Sequence, residues 1–148
     1  MLTLQEISDR LEIQDVLARY SHAIDRHDWS GLDAVFTPDA VIDYTEFGGP
    51  RAALPEIKTF LQKVLPMHAG HYHLVATSLI TVEGDTAEAR SVCHNPMVLD
   101  RDDGRTHVYF CGLWYHDQLI RTPAGWRIRE RTEEKCFLWD PEAPQRSV

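Results

Sequence analysis

After Pro66 the chain runs through four long stretches of strand-type sequence, at roughly residues 71–83, 86–100, 105–121 and 126–139. Between them stand Gly84-Asp85, Asp102-Asp103-Gly104 and Pro123-Ala124-Gly125, each with the residue types of a tight hairpin. Segments of this kind are about twice the usual strand length of 5–6 residues. Strands that long must twist and coil, so they form one curved antiparallel sheet with something packed in its hollow. What precedes them supplies the filling.

From about Leu4 to His27, apolar residues recur at Ile7, Leu11, Ile13, Leu17, Tyr20 and Ile24, the spacing of a helix with one buried stripe. Asp9, Arg10, Glu12 and Arg19 fall elsewhere on that helix. Asp28 is placed to cap a second, short helix over Trp29–Phe36, and Thr37-Pro38-Asp39 stops it. A short strand is expected at 40–45, then a loop at 46–55 holding Gly48, Gly49 and two prolines. Pro55 opens a third helix to about Leu65, with Ile57, Phe60, Leu61, Val64 and Leu65 on its apolar side. The reading is an α+β cone: a curved antiparallel sheet wrapped around about three N-terminal helices. It forms one domain over 1–140, followed by an irregular tail at 141–148.

Composition narrows the partners. A formal charge of −8 and the lack of a Lys/Arg run argue against nucleic acid. The one basic cluster, Arg127, Arg129 and Arg131, alternates along a strand and reads as a solvated outer face. No basic, apolar leader opens the chain and no stretch is long enough to span a membrane, so a cytoplasmic location is expected. Cys93, Cys111 and Cys136 form no CxxC pair and read as buried free thiols. His71-x-His73 has the spacing of half a metal motif without the remaining ligands, so no metal is expected. No Gly-rich phosphate loop and no serine elbow is present, and no cofactor is expected.

Three ionisable residues stand out against this apolar shell. Tyr20 lies on the buried stripe of the first helix; by itself it is a core tyrosine with a satisfied hydroxyl. Asp25 projects off that stripe, which fits either a surface carboxylate or an acid at a cavity mouth. His71 and His73 share one face of their strand, with Thr77 and Leu79 following on it. His94 and His116 differ in parity from Asn95 and His107 within their own strands, so not all of them can face inside. His22, His27 and His68 read as peripheral.

The segments IQDVLARYSHAIDRHDWSGLDAVFTPDAVIDY, HLVATSLITVEGDTAEARS and GLWYHDQLIRTPAGWRIRER, in this order, resemble the SnoaL-like branch of the nuclear-transport-factor-2-like superfamily. That resemblance, which extends to scytalone dehydratase and bile-acid 7α-dehydratase, implies a conical pocket between the sheet and the first helix. In the dehydratases a tyrosine and an aspartate five residues later come from that helix, as Tyr20 and Asp25 do here. A histidine at the start of the first long strand matches His73, and Asn95 or its neighbour His94 stands where a polar group follows on the next strand. Thr77 departs from the asparagine that the family often carries. Trp29, Tyr44 and His107 complete the candidate substrate contacts.

The expected chemistry is a cofactor-free elimination or isomerisation on a small, apolar, oxygenated ring. Asp25 and His73 remove a proton, and Tyr20 stabilises the enolate. Two other functions remain open at this level: a non-catalytic binder of an apolar ligand, and an interaction module using a sheet face that carries Phe110, Trp114 and Trp126. A homodimer or homotrimer fits either the enzyme or the module.

Overall fold

The computed structural model describes residues 1–143. Its elements are helix α1 (Leu4–Asp25), strand β1 (Phe36–Asp43), β2 (Arg51–Ala53), helix α2 (Leu54–Val64), β3 (Gly70–His71), β4 (Leu74–Glu83), β5 (Thr86–Asp100), β6 (Thr106–Thr122) and β7 (Gly125–Trp139). The seven strands form one sheet in the order β2-β1-β7-β6-β5-β3, with β4 also paired to β5. It is α+β, and the curved sheet holds α1 against β4 and β7 and α2 against β1. Buried residues from both helices and the inner faces of the strands make one cluster, including Ile13, Leu17, Ile24, Ile57, Leu119 and Ile128. Burying each such side chain is worth about 1.5–3 kcal/mol.

The sheet is mixed rather than antiparallel throughout, because β1 runs parallel to β7. That strand begins earlier than expected. Phe36 and Thr37 already pair into the sheet, and Pro38, which has no N–H to donate, falls where the β1–β7 register shifts between Phe36 and Val41. The expected short helix shrinks to a 3₁₀ turn at Gly31–Ala34. The residue at its N-cap is Ser30 rather than Asp28; Asp28, two residues earlier, accepts from the Gly31 N–H at 3.0 Å and the Ser30 hydroxyl at 2.7 Å. The loop expected at 46–55 contains β2. The first long strand is broken at Tyr72–His73, so β3 and β4 pair separately with β5. At the C-terminus, 141–143 are irregular, and the rest of the expected tail lies outside the described residues.

Two bulges decide which side chains face inward. In β4, Thr77 adopts φ 51°, and two residues, Thr77 and Ser78, oppose one residue of β5. Past that point inside and outside exchange: Ile80 is buried and Leu79 is 73% exposed, against the expectation that Leu79 follows His73 inward. In β7 the register shift between Gln118 and Leu119 of β6 leaves Arg129 as the extra residue. Trp126 and Ile128 face inward before the bulge, and Arg131 faces inward after it. Arg131 is therefore 0% exposed, paired with Asp117 at 2.6 and 2.8 Å, not on a solvated outer face. Trp126 likewise belongs to the core rather than to an open sheet face. Of the three cysteines, Cys93 and Cys111 are buried and Cys136 is exposed.

Helix α1 opens with a capping box in which Thr3 and Glu6 satisfy each other's backbone N–H groups. Its buried stripe carries one acid. Asp9 is 2% exposed, whereas Ile7 and Leu11 are exposed, the reverse of the simple helical pattern. Arg121 explains the exchange. It donates to both Asp9 oxygens at 2.7 and 2.8 Å, and the Trp126 indole N–H adds a third bond at 3.2 Å. The Arg121 hydrogen bonds hold the Asp9 pKa at about 2, against the opposing effect of burial. The folded carboxyl is thus the stronger acid, so its contribution is complete above the unfolded value near 4 and is lost as pH falls towards 2. Asp9→Asn should cost roughly 2 kcal/mol in urea unfolding at pH 7. The gap to the unsubstituted protein should close between about pH 4 and pH 2; a gap independent of pH would show that the pair is not what holds this end of α1.

Candidate active site

A cavity of about 590 Å³ opens between the concave side of the sheet and the helices. Alternation along β6 lines one wall: His107, Tyr109, Cys111, Leu113 and Tyr115 all face it. β5 contributes Asn95, Met97 and Leu99, and α2 contributes Phe60, Leu61 and Val64.

Asp25 is the last residue of α1, and His73 sits in the break between β3 and β4. The positive φ of His27, 56°, turns the chain away just past the helix end, leaving Asp25 facing the strand. The His73 backbone N–H reaches both Asp25 oxygens at 3.1 Å, and the ring Nδ1 lies 2.8 Å from Oδ1. A carboxylate can only accept, so Nδ1 carries the proton and the neutral ring's Nε2 is left free as a base. Burial opposes the charge on Asp25, but the His73 hydrogen bonds and ring outweigh it and hold the carboxyl below its ordinary range. Asp25 stands behind His73, and the histidine itself lines the cavity.

Next to the dyad is a cluster of phenols. The Tyr20 hydroxyl lies 3.0 Å from that of Tyr44 and 3.4 Å from that of Tyr115, and the Tyr20 ring packs edge-on to His73 at 6.1 Å. Burial raises all three phenol pKa values, keeping them neutral hydrogen-bond donors. Beneath them the Arg131 guanidinium lies 4.0 Å from the ring centres of both Tyr20 and Tyr115.

Of the other expected contacts, Tyr44, Asn95 and His107 line the cavity, and the Asn95 amide also donates to the Tyr72 carbonyl at 2.8 Å. His94 does not line it. Parity turns it to the outer face, where it stacks on Phe110 at 5.6 Å. Trp29 is also outside, stacked on His27 at 5.3 Å, which in turn stacks on His71. His68, expected at the periphery, is part of the wall. No cluster of three or more possible metal ligands occurs among the described residues.

Glu133 was not foreseen. It pairs across the sheet with Tyr115 and lines the cavity, turned inward by the same bulge that buries Arg131. Burial pushes its pKa up to about 8, against the pull of Arg131. Strand alternation from Leu113 would have found Tyr115, but nothing local in the sequence marks Arg129 as the bulge that brings Glu133 inside. An acid whose folded pKa is raised destabilises the fold increasingly from its unfolded value near 4.5 up to about 8. Glu133→Gln should therefore stabilise the protein by about 1–3 kcal/mol at pH 9, with the gain vanishing near pH 4. Equal stabilities at both pH values would place the carboxyl in water.

An open, curved mixed sheet packed against α1 and α2 is the architecture of a SnoaL-like protein. A family model for the SnoaL-like domain matches residues 5–132, and the chain belongs to that family. The uncharacterized protein Rv2910c of Mycobacterium tuberculosis is 51% identical over 137 residues, covering 93% of this chain and 92% of that one. Among solved structures, a candidate aromatic ring hydroxylase from Novosphingobium aromaticivorans is 30% identical with a TM-score of 0.80, over 90% of this chain and 94% of that one. A candidate scytalone dehydratase from the same organism is 18% identical with a TM-score of 0.79, over 93% and 91%, a likeness of fold alone.

Proposed function

We propose that the protein is a cofactor-free acid–base lyase or isomerase, dehydratase-like, acting on a small, mostly apolar, oxygenated ring. The observation that carries this reading is the 2.8 Å bond between Asp25 and His73 Nδ1, which leaves a free imidazole nitrogen at the wall of an apolar cavity beside neutral phenols. For a β-hydroxy ketone, His73 Nε2 takes the proton alpha to the carbonyl, and Asp25 stabilises the imidazolium that results. Tyr20, whose oxygen accepts from the Tyr44 hydroxyl, donates its own proton to the oxygen where enolate charge develops. The enolate then collapses, the β C–O bond breaks, and the departing hydroxide takes the proton back from His73 as water. If the proton returns to carbon instead, the same groups carry out an isomerisation. Asn95 orients the ring, and Glu133, neutral at pH 7, is a further donor to oxygen.

The structure similar at 30% identity bears the name of a ring hydroxylase, a reaction that consumes an oxidant. The groups assembled here are proton donors and acceptors, and we assign proton chemistry to them. Outside the cavity, Leu79 and Val92 are exposed on the outer sheet face, the surface we assign to pairing of two or three copies.

Screened against hydroxylated cyclic ketones, the protein should eliminate water or move a double bond. His73→Ala and Asp25→Asn should each lower kcat by about 100-fold or more while the far-UV spectrum and Tm hold. Tyr20→Phe should lower kcat and cost only about 1 kcal/mol of stability, one buried hydrogen bond. Full turnover in both the His73 and the Asp25 variants would rule out this mechanism.

A further inference from the structure

The cavity has a second polar station, on the opposite side of the dyad from the phenol cluster. The inner face of β6 serves as a ruler. His71 pairs with Met97 and Leu74 with His94, so His73 stands beside Asn95, which pairs with Cys111. Tyr115 is four residues from Cys111 in one direction, and Tyr109 is two residues from it in the other, a step of about 7 Å along the strand. Between the stations the wall carries His73 and Asn95 among the apolar side chains of Met97, Leu113 and α2.

At Tyr109 the hydrogen-bond directions are determined by the neighbouring groups. His68 Nδ1 lies 3.2 Å from the Val64 carbonyl, which can only accept, so Nδ1 carries the proton. In the neutral ring Nε2 is then bare, and it accepts the Tyr109 hydroxyl at 2.8 Å. The phenol has spent its one proton on His68, and its oxygen retains lone pairs for a ligand. His107 stacks on the Tyr109 ring at 6.0 Å and is itself held by Asp140 at 3.2 Å, so the phenol is braced on both sides.

We propose that Tyr109, oriented by His68, is a substrate-reading site that accepts a hydrogen bond from a hydroxyl on the far end of the ring system. This site deepens the proposed function, which it relies on only for His73 as the reactive end. The substrate class is then narrowed to rigid molecules with oxygen at both ends, the distal one an O–H rather than a ketone or ether. A molecule presenting an acceptor there would meet a lone pair.

The test is a matched pair of ligands, 2,6-dihydroxynaphthalene and 6-methoxy-2-naphthol, titrated calorimetrically at pH 8. The diol can donate to both His73 Nε2 and Tyr109; the ether must forgo one of these bonds. The unsubstituted protein should bind the diol roughly fivefold more tightly, the worth of one neutral hydrogen bond. Tyr109→Phe should bring the ratio to about one. His68→Leu should shrink it too, because the freed phenol proton can then serve the ether. His73→Ala should also bring the ratio to about one, by weakening the diol alone, because the ether can turn its single hydroxyl to Tyr109, whereas His68→Leu should do so by tightening the ether; turnover of hydroxylated cyclic ketones, which this titration does not involve, tests the catalytic reading separately. Equal affinities in the unsubstituted protein, a ratio unchanged by Tyr109→Phe, or no saturable binding of either ligand at millimolar concentration would overturn the proposal.

Discussion

The ion pair between Arg131 and Asp117 is the costliest arrangement in the molecule and the one on which the candidate site depends. Both side chains are fully buried. Removing two charges from water costs several kcal/mol per ion, repaid only when geometry and further contacts are good. Asp117 supplies two short bonds, and the faces of Tyr20 and Tyr115 supply the rest. Those contacts also hold two of the three phenols in place. A cation beneath the rings works against the burial that keeps the phenols neutral, so a hydroxyl gathering negative charge in a transition state is supported from below.

This arrangement exists because β7 is irregular. A regular strand would turn Arg131 and Glu133 outward together, since side chains alternate and Ile128 is already inside. One extra residue at Arg129 reverses the alternation as far as Lys135, and a second at Cys136 reverses it again, turning Leu138 to the cavity. The bulge at Thr77 reverses the alternation of β4, after His73 has been placed. The bulges at Arg129 and Thr77 act downstream of a residue that must face the core.

The legibility of the chain follows from this. Long strands, hairpin glycines and the amphipathic helix were readable because they depend on local pattern, and the order of elements led to the family. Tyr20, Asp25 and His73 were readable because their spacing along helix and strand resembles that of relatives. Arg131, Glu133 and Leu79 were misread or missed because period-two alternation holds only up to a bulge, and a bulge in a strand without glycine leaves no local mark. Asp9 was missed for a different reason. An acid on a buried stripe needs a partner, and Arg121 is 112 residues away in sequence. His94 and Asn95 could not be separated by resemblance; strand parity puts them on opposite faces of β5, and which one meets the cavity is set by the packing of the sheet on the helices.

Two carboxyl groups of the candidate site show how one environment sorts similar residues into different roles. Burial disfavours the charge on both. Asp25 has a histidine ring and a backbone N–H in direct contact, and these outweigh burial and keep it ionised. Glu133 has only the charge of Arg131, which is already committed to Asp117, and burial wins. An ionised acid behind a neutral imidazole makes a base; a protonated acid beside phenols makes a donor. Titratable groups pushed apart in this way mark sites where a proton leaves one face of a substrate while charge is received at another. The donors come from several elements, Tyr20 from α1, Tyr44 from the segment after β1, Tyr115 from β6 and Glu133 from β7, whereas the base stands in the break between β3 and β4. A substrate with its C–H at His73 and its oxygen among the phenols would have the arrangement that enolisation requires.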